Sequence, residues 1–296
     1  MKVFITGARG AIGRNLSSIL GGNETVCFSR NADAKHLPMS QIALELVRRK
    51  PEAIVHLAWS TLPATAEAHP GAEWITDLPL LSELCASIAR GPGVKRQQLI
   101  FLSTGAVYGE SGSIPHDENS QTAPKGWYAR GKLAAEQLVG NFAQAENLRA
   151  LILRASTVYG FHQEAARMQG IIPKLIDAAN SGEPCPIWGD GSARKDFLHI
   201  LDLAEAIKQS LNRRLQGVYN ICTGVSTSIS QVAEQVRRAT EREIVLKYHD
   251  SPPWDVVSTH LRFSKFHADV GWVPKISLVD GIRRMVHDCR LRNPLS

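Results

Sequence analysis

Five short runs rich in strand-forming residues are separated by longer stretches with helical periodicity: VFIT at 3–6, TVCF at 25–28, AIVHLA at 53–58, QLIFLST at 98–104 and ALILRAS at 150–156. The stretches between them include the amphipathic 42–49 and 133–145. No other feature limits the fold as tightly. Near-continuous apolar strands need cover on both faces, and strands joined through helices lie parallel. The pattern therefore predicts an α/β fold, a doubly wound parallel sheet with helices on both sides.

After Gly160 the rhythm changes to longer helices, an EPCPIWGDG turn and shorter strands, which predicts a smaller second lobe. Segments 197–200 and 217–221, flanking a helix over 202–212 with Asp202 as its acidic cap, read as a return to the sheet. The expected division is 1–160 with 196–223 for the larger domain, and 161–195 with 224–296 for a discontinuous C-terminal lobe. At 296 residues the chain can bury a core of that size.

With 44% hydrophobic and 21% charged residues, the composition is that of an ordinary globular protein and excludes disorder. A net charge of +6 is spread over scattered Arg pairs such as Arg48-Arg49 and Arg237-Arg238, which argues against nucleic acid and fits an anionic small molecule equally well. The five cysteines form no CxxC pair and have no histidine at metal-ligand spacing, so no metal site is expected and reduced thiols are. The chain starts on a strand, with no leader and no apolar run of membrane-spanning length, and a cytoplasmic location is expected. The sequon at Asn15 falls within the first helix and is discarded.

Gly7, Gly10 and Gly13 sit where the first strand turns into the first helix. Glycines there permit a tight turn, close approach of a pyrophosphate and close helix packing, while the helix N-terminus offers N–H groups to the anion. A dinucleotide is expected along Gly7, Arg9, Gly10, Ala11, Ile12 and Gly13. At the end of the second strand, Ser29 and Arg30 stand where a carboxylate would bind the ribose of NAD. Arg30, with Arg9 as a second cation, favours the 2'-phosphate of NADP(H); NAD(H) remains open.

Tyr128 and Lys132, four apart, share one helix face, an arrangement in which the lysine can lower the phenol's pKa for proton exchange with a sugar or alcohol oxygen. Thr104 lies upstream in STGAVYG.

Together with TGARGAIG at 6–13, IVHLA at 54–58, YARGK at 128–132, LRASTVYG at 153–160, IWGDGSARKDFLH at 187–199 and VGWVPKISLVDGI at 270–282, these residues resemble the extended short-chain dehydrogenase/reductase family. The likeness is to its nucleotide-sugar epimerases, dehydratases and 4-ketoreductases. The resemblance implies a Rossmann-type fold, Thr104 holding the reacting sugar oxygen, Tyr128 as acid/base and Lys132 on the nicotinamide ribose. It further implies Leu57, Ala58 and Ala155 beside the coenzyme and Gly105, Thr157, Arg194 and Lys195 on a nucleotide-diphosphate sugar. A homodimer paired through the Tyr-Lys helix, with Leu133, Leu138 and Phe142 on the seam or in the core, is expected on the same ground.

Asp77 and Thr157 replace asparagines common in the family, Lys195 replaces an arginine, and SPPWDVV at 251–257 lacks the usual diphosphate-binding arginine. Trp127, Trp188 and Trp254 stand as local substitutes or as core. Gly105 and Ala106 follow Thr104 where the family's dehydratases carry Asp-Glu, which argues against dehydration. Arg30 and a short segment between the second and third strands tilt the expectation to an NADP(H)-dependent 4-ketoreductase, with a 4-epimerase holding NAD as the alternative. A dinucleotide-binding sensor is disfavoured because both Tyr128 and Lys132 are present.

Overall fold

The computed structural model describes residues 1–21, 24–30, 33–91, 97–112, 114–160 and 170–292. Its strands are β1 (Lys2–Thr6), β2 (Glu24–Ser29), β3 (Leu37–Pro38), β4 (Ala53–His56), β5 (Gln98–Thr104) and β6 (Arg149–Ala155), then β7 (Thr157–Tyr159), β8 (Cys185–Trp188), β9 (Arg194–His199), β10 (Gly217–Ile221), β11 (Ser226–Ser228) and β12 (Leu246–His249). The helices are α1 (Ala11–Ile19), α2 (Ile42–Arg49), α3 (Pro63–Ala68), α4 (Ala72–Ile75), α5 (Asp77–Arg90) and α6 (Trp127–Glu146), then α7 (Ile171–Ser181), α8 (Ile200–Arg213), α9 (Ile229–Thr240), α10 (Ser264–Val270) and α11 (Leu278–Arg292).

All five predicted runs become strands of one parallel sheet, ordered β10-β6-β5-β4-β1-β2-β3. Strand order reverses at β1, between β4 and β2, and crevices at such reversals are where doubly wound sheets take ligands. Period-two alternation feeds two cores. Val3 and Ile5 pack with Leu16, Leu203, Ile207 and Phe266 on one side, and Phe4 packs with Leu81, Leu84 and Val139 on the other. Leu138 and Phe142 rest partly buried on the second of these cores, and Leu133 on a small cluster of Val107, Tyr108, Cys222 and Leu261.

A further core collects α7, α9 and α11 around Leu175, Val232, Val236 and Ile282, and β8 pairs with β12. Three expectations need correction. Segment 197–200 does not return to the large sheet: β9 pairs with β7 and β11 in a separate three-stranded sheet. An apolar run marks a buried strand but not its neighbours. Residues 263–272, expected in the smaller lobe, join the first core because Phe266 and Trp272 are buried there. The boundary after residue 160 opens onto 161–169, which lie outside the described residues. Lastly, α8 is capped by His199, whose Nδ1 accepts the Leu201 N–H at 3.2 Å. Asp202 lies inside the first turn and accepts the backbone N–H groups of Lys275 and Ile276 at 3.1 and 3.0 Å, which fastens the C-terminal segment to α8.

Candidate active site

The turn after β1 is closed by the Gly10 N–H donating to the Gly7 carbonyl at 3.0 Å. Gly7 has φ +69°, and a Cβ there would lie 2.7 Å from the Ala58 nitrogen; at Gly13 it would lie 2.5 Å from the Gly7 oxygen. Both glycines are required by contact with rigid backbone. Gly10 caps α1 without a side-chain hydrogen bond, which leaves the first amides of the helix to a ligand. This cradle fits a pyrophosphate.

From the turn a cavity of about 660 Å³ runs past Leu57, Thr104, Gly105, Tyr128, Lys132 and Ala155 to Thr157, Lys195, Trp188 and Trp254. Thr104 ends β5, and its Oγ1 accepts the Ala106 N–H at 3.2 Å. Tyr128, half-buried, stands in the first turn of α6, one turn ahead of the buried Lys132.

Lys132 Nζ donates to the Leu102 carbonyl at 2.9 Å and lies 3.9 Å above the Trp59 ring and 4.9 Å from Phe101. Burial draws its pKa down to about 7, opposed by Asp77, Glu136 and Glu73. Its amine is 5.9 Å from the centre of the Tyr128 ring. The expected lowering of the phenol's pKa is reversed in this structure: burial, then the carboxylates of Glu73 and Asp77, push Tyr128 up. The Lys132 ammonium, aimed at the Leu102 carbonyl, does not offset them.

Asp77 is held by the Ser60 N–H at 2.8 Å and the Ser60 hydroxyl at 2.6 Å. Beneath Thr104, Ser103 Oγ donates to Glu136, which also receives Arg154 Nη2 at 2.7 Å; Arg154 in turn donates to the Tyr108 hydroxyl at 3.0 Å. This buried network, which includes Tyr108, ties β5, β6 and α6 together.

The other expected contacts divide. Lys195 reaches the cavity but is engaged by Asp255 at 3.0 Å and by the Val256 carbonyl. Arg194 does not line it: consecutive strand residues face opposite ways, and Arg194 is exposed, donating to the Ser226 carbonyl. Ser29 is buried and Arg30 exposed at the end of β2, outside the main cavity. Arg9 pairs with Asp33 at 3.7 Å, so it is not the unopposed second cation expected. Trp188 and Trp254 meet edge to face with centroids 4.9 Å apart, and Trp127 meets Trp74 likewise at 5.8 Å. Sequence reading missed Trp59, Glu67 and Glu73; Glu136, four residues after Lys132 on the same helix face, carried a readable signal.

A family model described as the NAD dependent epimerase/dehydratase family matches residues 3–222. The chain belongs to that family. It is 31% identical over 198 residues to dTDP-D-glucose 4,6-dehydratase of Mus musculus, covering 64% of this chain and 55% of that protein, so the chain spans a little over half the length of this relative. It is 24% identical over 250 residues to dTDP-4-dehydro-6-deoxyglucose reductase of Escherichia coli, covering 83% and 77%. Among solved structures it is similar to UDP-glucose 4-epimerase with UDP-glucose from Thermotoga maritima, at 25% identity and a TM-score of 0.89 over 99% of both chains. No helix among the described residues of this family member is long and apolar enough to cross a membrane.

Proposed function

We propose that the chain is an NADP(H)-dependent nucleotide-sugar oxidoreductase that reduces the 4-keto group of a nucleotide-activated deoxysugar. One observation carries the reading: Thr104, Tyr128 and Lys132 meet in a cavity that opens on the glycine cradle and extends to Trp188, Trp254 and Lys195. A nicotinamide dinucleotide seated on that cradle supplies the hydride. The chain's own groups handle the proton. Tyr128, kept protonated by burial and neighbouring carboxylates, holds the proton that a ketone oxygen must receive. Thr104 Oγ1 already accepts from Ala106, which frees its hydroxyl proton for the same oxygen. Lys132, whose amine is set by the Leu102 carbonyl, is the residue that would meet the nicotinamide ribose, on family resemblance.

Gly105 and Ala106 bring no carboxyl group beside Thr104, which argues against elimination of water. Arg30, exposed at the end of β2, supports the phosphorylated coenzyme. The proposal includes a homodimer through α6, on family resemblance, and a cytoplasmic setting, which the buried thiols of Cys85, Cys185 and Cys222 support. A 4-epimerase retaining NAD is the second reading, favoured by Asp33, whose carboxylate faces Arg9 beside the glycine turn.

A screen of UDP-, dTDP-, GDP- and CDP-linked 4-keto-6-deoxy sugars tests the choice. Oxidation of NADPH by at least one of them is expected. Stoichiometric NAD in the purified protein, with no NADPH oxidation by any, would replace the reductase by the epimerase.

A further inference from the structure

Glu67 is a charged group of the cavity wall that the reaction above does not use. It reaches the cavity from α3, and its Oε1 accepts the Trp127 N–H at 2.5 Å, the first amide of the helix that carries Tyr128. Carboxylates suit that position, where helix amides point outward. Gly126 permits the approach: a Cβ there would lie 2.7 Å from Glu67 Oε1 and 3.3 Å from the Trp254 Cβ. Carboxylate, helix head and Trp254 thus close on one another at a single point of the wall, next to the proton donor.

Two cations of the cavity are engaged away from Glu67, and a third, Lys174, lines the cavity from α7. Lys195 is engaged by Asp255 and the Val256 carbonyl, and Lys132 by the Leu102 carbonyl. Among the described residues no cation pairs with Glu67. A carboxylate only accepts hydrogen bonds, and a second carboxylate brought to it is repelled. We propose that Glu67 selects the sugar: it accepts a hydrogen bond from a hydroxyl or amino group of the hexose and turns away hexoses that bear a carboxylate.

The inference rests on the reading that the cavity holds a nucleotide sugar, and binding rather than turnover tests it. Titration calorimetry on the full chain compares UDP-glucose with UDP-glucuronic acid. The wild type is expected to bind UDP-glucose at least about tenfold more tightly. Glu67→Gln, whose amide oxygen still accepts the Trp127 N–H, is expected to bring the two within about threefold, with NADP binding unchanged as the sign of an intact fold. Equal wild-type affinities, or an unchanged ratio in Glu67→Gln, would overturn the selection and leave the nucleotide-sugar reading standing. Absence of binding by either UDP probe would overturn the selection as stated and leave the nucleotide-sugar reading to the four-nucleotide screen. The wild-type comparison needs no variant, so a variant that misfolds does not shield the idea.

Discussion

At the scale of residues, Tyr128 and Lys132 share a helix face, yet the lysine amine is turned to the Leu102 carbonyl and the Trp59 ring. Burial therefore dominates both groups, drawing Lys132 to about 7 and pushing Tyr128 up. A phenol that keeps its proton suits reduction, where the proton must be given. Tyr128→Phe is expected to lower turnover by about 10²–10⁴ while coenzyme affinity stays within about twofold; steady-state kinetics and coenzyme titration check the two halves. Equal loss of both would show that Tyr128 mainly holds the coenzyme. Thr104, Tyr128, Lys132 and the glycines were legible in the sequence because each signal is local: a strand end, a helix spacing, a turn. Trp59, Glu67 and Glu73 were not, since they arrive from a separate segment, 59–73, and nothing in their spacing relates them to α6. Arg194 and Lys195 were read together because the sequence does not say which strand face meets the cavity.

At the scale of elements, the β1–α1 turn depends unequally on its glycines. A Cβ at Gly13 would meet the Gly7 oxygen at 2.5 Å and the Ala8 Cα at 2.6 Å, backbone atoms with no room to give. At Gly10 the nearest atom is 3.2 Å away. Gly13→Ala is thus expected to cost about 1–3 kcal/mol of stability and to weaken coenzyme binding by at least about tenfold, whereas Gly10→Ala costs less of both. Thermal melting and coenzyme titration of the two variants would contradict this if Gly10→Ala proved the more damaging. The strands of the large sheet were legible because alternation and length are local properties. The placement of β9 in another sheet was not, because Phe197 and Leu198 feed two different cores from adjacent positions. The capping of α8 by His199 was likewise hidden, since Asp202 offered a stronger acidic signal three residues later.

At the scale of the whole molecule, two different sheets each end a strand on a histidine whose pKa is depressed by burial. His56, at the end of β4 and bonded to Thr6 Oγ1 at 2.9 Å, is drawn to about 3, first by burial and then by Lys132. His199, between β9 and α8, is drawn to about 4, by burial and then by Arg284. Unfolded histidine binds a proton near pH 6.5, so between there and about pH 3–4 the unfolded chain holds more protons and stability falls as pH falls. The loss is expected to reach about 1.4 kcal/mol per pH unit for each such histidine. Melting curves between pH 7 and 5 are expected to show a shallower decline for His56→Asn than for the wild type; parallel declines would refute the assignment. The central claim, hydride transfer to a sugar ketone with the proton from Tyr128, is tested most directly by one measurement. NADPH carrying deuterium at the transferable position is incubated with the 4-keto nucleotide sugar that the screen selects, and the product is read by mass spectrometry and NMR. The account predicts one deuterium on carbon 4 of the released sugar, delivered about 10²–10⁴ times more slowly by Tyr128→Phe. Recovery of the 4-keto sugar unreduced and without deuterium, from protein that retained its own NAD, would contradict it.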